Sequence, residues 1–204
     1  MNSPSESPES SPPSPVAGVP EKTGIFMSYH HENDEFYYDH LCPAMKTDFS
    51  PIRDNPSDRI ADGDDPEAVV QRIRDSHIQG TRCTLVLCGE ESGLRKYIDW
   101  EIKGTLDKGN GLIGIVLPTC ERDPDGKFVV PDRLYDNVSS GYALLINWSD
   151  LFPSPLFELS LPLGAITPQN TDSFLKGYVD AAMLKPASLI VNTREKMEKD
   201  VQPL

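Results

Sequence analysis

Glu101 is an acid set where a helix should be apolar. In the run from Leu94 to Leu106, at about 100° per residue, Leu94, Ile98, Ile102 and Thr105 share one arc, while Arg95, Asp99 and Lys103 gather opposite. Glu101 projects inside the apolar arc, between Ile98 and Tyr97 one turn earlier. A carboxylate there has to find a partner, take up a proton or face a cavity, because a bare buried charge is too costly. Residue types leave two readings open: a Glu at the edge of the stripe, paired with a nearby lysine or arginine, or a carboxylate aimed into a binding site.

Other candidate groups are weaker. His30 and His31 are adjacent, and consecutive residues leaving a strand point to opposite sides, so they cannot chelate one metal as an i,i+4 pair does. Either one is able to hydrogen-bond a ligand. The acidic loop Asp54 to Asp65 suggests calcium, but its spacing fails the twelve-residue calcium-loop pattern, and a solvated loop is expected. His77 stands at the end of a helix just before Gly80, placed either to cap the helix dipole or to touch a substrate. Cys42, Cys83, Cys88 and Cys120 lack CxxC spacing and read as reduced thiols. No metal site and no cofactor are expected. After the first strand the chain reads Ser28-Tyr29-His30-His31-Glu32-Asn33-Asp34, so neither a dinucleotide fingerprint nor a P-loop is present. A GxSxG elbow is also missing, which argues against a serine hydrolase.

These groups need elements to position them. Gly24 to Tyr29 reads as a strand, and His31 to Lys46 as a helix with Phe36, Tyr37, His40 and Leu41 at three- and four-residue spacings. Phe49 to Arg53 forms a short strand. Pro66 opens a helix running to about Ser76, with an Asp ahead of it as cap. Cys83–Cys88 and Leu112 to Leu117 are short apolar runs, as expected of strands buried on both faces. Tyr142 to Ile146 makes a fifth strand, and Thr119 to Ser140 an excursion with only a short helical turn. Asp172 to Met183 and Asn192 to Lys199 read as amphipathic helices. Strands alternating with helices imply right-handed parallel crossovers and an α/β, doubly wound, mainly parallel five-stranded sheet with helices on both faces. Such folds bind ligands outside the carboxyl ends of their strands. Ser28, Tyr29, His30, Asp54, Gly89 and the loop into the Glu101 helix all fall on that edge.

The chain has 204 residues, enough for one domain with a real core. Residues 1–22 are rich in Ser, Pro and Glu and too poor in apolar side chains to offset chain entropy, so a disordered tail is expected. One domain is assigned to 23–185 and a helical extension to 186–204. A net charge of −13 argues against nucleic acid and anionic membrane as partners. No apolar run approaches a membrane span, and no secretion signal opens the chain, so a cytoplasmic protein is expected.

Four segments together carry a family resemblance. Ile25 to Asp34 resembles the opening strand of TIR-like domains, where "F-I-S-Y" runs into a polar, acidic turn. Tyr97-Ile98-Asp99-Trp100-Glu101-Ile102 is similar to their "W-V-x-x-E-I" helix, with Tyr97 where Trp is usual. Pro131 to Asn137, and Gly141-Tyr142-Ala143 followed by Trp148, resemble a narrower branch that contains the TIR-like proteins of bacterial Thoeris antiphage systems. The resemblance implies a flavodoxin-like TIR fold and cleavage of NAD+ at the nicotinamide–ribose bond. It makes Glu101 the catalytic acid residue, with Phe26, Ser28 and Tyr29 lining the pocket. His30, Asp54, His77 and Tyr97 join them as substrate-binding candidates.

The resemblance further implies a cyclic ADP-ribose-type signal that activates a separate, nucleotide-sensing, NAD-depleting effector. It also allows for a phage-derived trigger and for a homo-oligomer. The alternative is a catalytically silent TIR-like interaction module. The chemistry asks for one carboxylate only: nicotinamide leaves a pyridinium without protonation, and the barrier lies in the oxocarbenium-like ribosyl centre that a carboxylate stabilises.

Overall fold

The computed structural model describes residues 22–53, 66–152 and 168–193. Five parallel strands form one sheet: β1 (Thr23–Ser28), β2 (Phe49–Arg53), β3 (Cys83–Cys88), β4 (Gly111–Val116) and β5 (Leu144–Asn147), in the order β2-β1-β3-β4-β5. Between them run α1 (His31–Ala44), α2 (Pro66–Ile73), α3 (Lys96–Lys108) and α4 (Asp132–Ser139). α5 (Trp148–Leu151) and α6 (Pro168–Met183) follow β5. The α/β, doubly wound, five-stranded parallel architecture is the one expected from the alternating pattern.

The two-residue period of the strands sorts the core into two layers. Ile25, Met27 and Tyr29, Leu85 and Leu87, and Ile113 and Ile115 face one side, against Leu41 and Met45 of the α1 segment and Leu175 and Val179 of α6. Val86, Cys88, Leu112 and Val116 face the other, against Ile98, Ile102 and Leu106 of α3 and Leu134 of α4. Phe26 extends this second layer to Val69 and Ile73 of α2. β3 and β4 are buried at every position, which is why they read as continuous apolar runs.

Several boundaries differ from the sequence reading. β5 begins at Leu144 because Ala143 turns its N–H back to the Asn137 carbonyl, closing the end of α4 before pairing with β4 starts. The short turn expected in the excursion is a two-turn helix, α4. α1 stops at Ala44, and its outward Phe36 is 63% exposed although its spacing suggested a core face. α2 gives way to a π-helical turn, Arg74–Ile78. Of the extension assigned to 186–204, the described part holds a 3₁₀ turn, Ala187–Leu189, followed by non-helical chain through 193.

Candidate active site

The strand order reverses between β1 and β3, and a doubly wound sheet opens its ligand crevice at such a switch point. Glu101 lies there. Its helix follows β3, packs over β3 and β4 on the second face of the sheet, and reaches β1 through Glu101. Ser28, the last residue of β1, donates its hydroxyl to Glu101 Oε2 at 2.5 Å. Both residues are buried, Ser28 fully and Glu101 to within 3%. One turn along the same helix, the Thr105 hydroxyl meets that of Thr84 on β3 at 2.7 Å and donates to the Glu101 carbonyl at 2.8 Å. The helix is therefore tied to both central strands by side chains four residues apart, which fixes its rotation as well as its height. A buried carboxyl group so held keeps a direction, and the short O–H···O contact replaces part of the hydration it gave up.

A further tie acts from behind. Asp99, expected on the outer side of α3, is buried and accepts Arg133 Nε at 2.9 Å and Nη2 at 3.1 Å. Arg133 also donates Nη1 to Asn192 Oδ1 at 2.6 Å, while Asn137 exchanges two hydrogen bonds with the Val191 backbone. The chain beyond α6 is thereby fastened over α3 and α4.

The other expected site residues fall into separate groups. Phe26 lies on the same face as Ser28, one side-chain step back along β1. His77, in the π-helical turn, stacks on it with ring centroids 6.2 Å apart, towards the amino ends of the strands. Tyr97 opens α3, half-buried, with its ring edge-on to Trp100 at 5.2 Å; Lys96 Nζ stands 5.7 and 5.6 Å from the two ring centroids. Tyr29 points to the opposite face, stacked on Tyr38 at 4.7 Å, and donates to Glu35 Oε2 at 2.7 Å. His30 is buried at the start of α1, where its carbonyl accepts the Asp34 N–H at 2.8 Å. Asp54 lies outside the described residues.

The structure thus brings Glu101, Ser28 and Phe26 to one face, with Tyr97 a turn ahead of Glu101 and His77 behind Phe26. Trp100 was missed. It packs partly buried against the cluster of Phe26, Val69 and Ile73, and its place next to Glu101 in the chain was the available signal. Asp34 was missed as well. It is fully buried above the carboxyl ends of β1 and β3, and burial pushes its carboxyl up to about 7.

None of the four cysteines is in a disulfide and all are buried, and burial pushes the Cys83 thiol up to about 12. Such thiols are poor nucleophiles and poor ligands. Among the described residues no group of three or more His, Cys, Asp or Glu side chains is placed to hold a metal ion, and no helix is long and apolar enough to cross a membrane.

Comparison with curated proteins gave no match. Among solved structures, the chain is similar to the TIR domains in the structure of the activated Roq1 resistosome directly recognizing the pathogen effector XopQ. Identity is 13% with a TM-score of 0.35, over 51% of this chain and 61% of that one. A family model described as the TIR-like domain of Thoeris protein ThsB matches residues 26–122, a span that begins in β1 and takes in both Ser28 and Glu101. Over residues 26–122, then, the chain is similar to the TIR-like domain of Thoeris protein ThsB.

Proposed function

We propose that the chain cleaves the nicotinamide–ribose bond of NAD+ and that Glu101 is the residue that makes this possible. The observation that carries the reading is the buried Ser28–Glu101 contact at the switch point of the sheet, 2.5 Å long. Departure of neutral nicotinamide leaves positive charge on the ribosyl C1′ and ring oxygen. A carboxylate preoriented beside that centre stabilises it without having to reorganise, and does so best where water is scarce. Ser28 holds the carboxylate in place. The half-buried Tyr97 and Trp100, with Lys96 beside them, offer aromatic faces and a positive charge to the flat, anionic parts of a dinucleotide.

Two fates follow for the ribosyl centre. Water adds to C1′, releasing a proton and giving ADP-ribose, or a nucleophilic atom of the same molecule attacks and gives a cyclic isomer. The family's antiphage setting favours the cyclic product, made as a signal for a separate NAD-depleting effector. The test is incubation of the purified chain with NAD+, alone and with infected-cell lysate, and product identification by chromatography and mass spectrometry. Nicotinamide together with a cyclic ADP-ribose isomer, both missing with Glu101→Gln, is the expected result. Product formation that survives Glu101→Gln refutes the assigned role. Intact NAD+ under both conditions favours an interaction module instead.

A further inference from the structure

β1 and β3 leave the sheet side by side, and the segments beyond them meet where Asp34 lies against Gly89. Asp34, in the first turn of α1, is fully buried with its carboxyl against Gly89. A Cβ placed on Gly89 would stand 2.0 Å from Asp34 Oδ1 and 2.6 Å from Cγ, so no larger residue fits beneath the carboxyl as it is seated. Neither carboxyl oxygen has a hydrogen-bond partner of normal geometry. Buried polar atoms in that condition are rare because they are costly.

The groups around Asp34 do not supply a compensating charge. The backbone N–H of His30, ahead of α1, pulls the carboxyl modestly towards ionisation, but desolvation outweighs it and Glu90, in the loop after β3, opposes it. Cys88, at the end of β3, and Cys120, beyond β4, are thiols that burial holds in the neutral form. Asp34 accordingly keeps its proton up to pH about 7.

The segment gripped at Gly89 is itself strained. Glu91 has φ 61°, in the left-handed region that a side chain with a Cβ rarely adopts. The turn is closed by Ser92 Oγ donating to the Gly89 carbonyl at 2.9 Å, by the Leu94 N–H donating to the Glu91 carbonyl at 2.8 Å, and by an ion pair between Arg95 and Glu91. Arg95 then occupies the position ahead of α3 without a side-chain cap, and Glu101 follows in the second turn of that helix.

We propose that Asp34 is a positioning residue for Glu101: its neutral carboxyl, seated on Gly89, keeps the strained segment 89–95 closed, and loss of its proton opens that segment and loosens α3 at Ser28. The consequence at Glu101 rests on the NAD+ reading above; the closure of 89–95 does not.

Hydrogen exchange of the full chain, wild type and Asp34→Asn, across pH 6 to 8.5 and corrected for intrinsic rates, tests it. The expected result is a rise in exchange of 89–101 in wild type through pH 7, about 10-fold between pH 6 and 8.5 and levelling off above pH 7, and its absence in Asp34→Asn, whose amide stands in for the protonated acid. A flat wild-type profile overturns the proposal by itself, whether or not the variant folds; so does an equal rise in both proteins. Nicotinamide release read in parallel separates the two ideas. Alkaline loss of kcat in wild type, spared in Asp34→Asn, supports the coupling to Glu101. Inactivity of both proteins, alone and with infected-cell lysate, with the exchange difference intact removes the NAD+ reading and leaves the closure standing.

Discussion

A hydroxyl placed 2.5 Å from a buried carboxylate orients it and substitutes for a water it has lost. Removing that hydroxyl should therefore weaken the reaction more than the fold. Ser28→Ala is expected to slow nicotinamide release about 10- to 100-fold, the range for losing one hydrogen bond to a charged group at a site, with initial rates as the check. Asp34 makes the other prediction at this scale, and its sign follows from proton counting. Folded, it keeps its proton up to pH about 7, whereas its ordinary value is 3.8. The folded state therefore binds more protons between these limits, and stability falls as pH rises through that window before levelling off above 7. Asp34→Asn removes this decline, and denaturation midpoints at pH 5 and pH 8 measure it. Sequence made Glu101 visible because an acid interrupts an apolar arc. It hid the partners, since Ser28 is distant in the chain and Asp34 sits in a run of polar residues that looks solvated.

α3 is the element on which the site depends, and it is held by ties of different kinds. Hydroxyls fasten its inner face to β1 and β3 through Ser28 and Thr84, and the Asp99–Arg133 pair fastens it to α4. Arg133 is among the most deeply buried side chains of the molecule, so breaking its pair strands a charge. Asp99→Asn is expected to destabilise the fold by about 3–5 kcal/mol, and replacing Asp99 and Arg133 together with apolar residues of similar volume to cost less than the single change; chemical denaturation reads both. β1, β3 and β4 were legible because central parallel strands are apolar on both faces. Asp99 lies on the arc opposite the apolar stripe, yet it is buried there against Arg133 of α4, and sequence did not show this because a buried ion pair looks like a solvated face. The start of β5 was misplaced for a related reason: Tyr142 and Ala143 are buried, yet they serve the end of α4 rather than the sheet.

The doubly wound sheet brings the end of β1, the loop after β3 and the first turns of α3 to one edge, so residues spread over much of the chain meet in a single candidate site. Strand–helix alternation alone pointed to that edge of the sheet, but it did not show that Phe26 and His77 meet each other or that Tyr29 turns to the other face. The charge of the whole chain matters to any anionic substrate. At −13 the protein repels a dinucleotide that carries two phosphate charges against one pyridinium. Raising salt from about 20 to about 200 mM screens that repulsion and is expected to lower KM for NAD+ about twofold with kcat unchanged. The central claim is that one buried carboxylate, held by Ser28, breaks the nicotinamide–ribose bond. Initial rates of nicotinamide release by wild type, Ser28→Ala and Glu101→Gln at matched folded concentration test it most directly. The account predicts that order of decreasing rate, with Glu101→Gln slowed at least about 1,000-fold; a Glu101→Gln rate equal to wild type would contradict it.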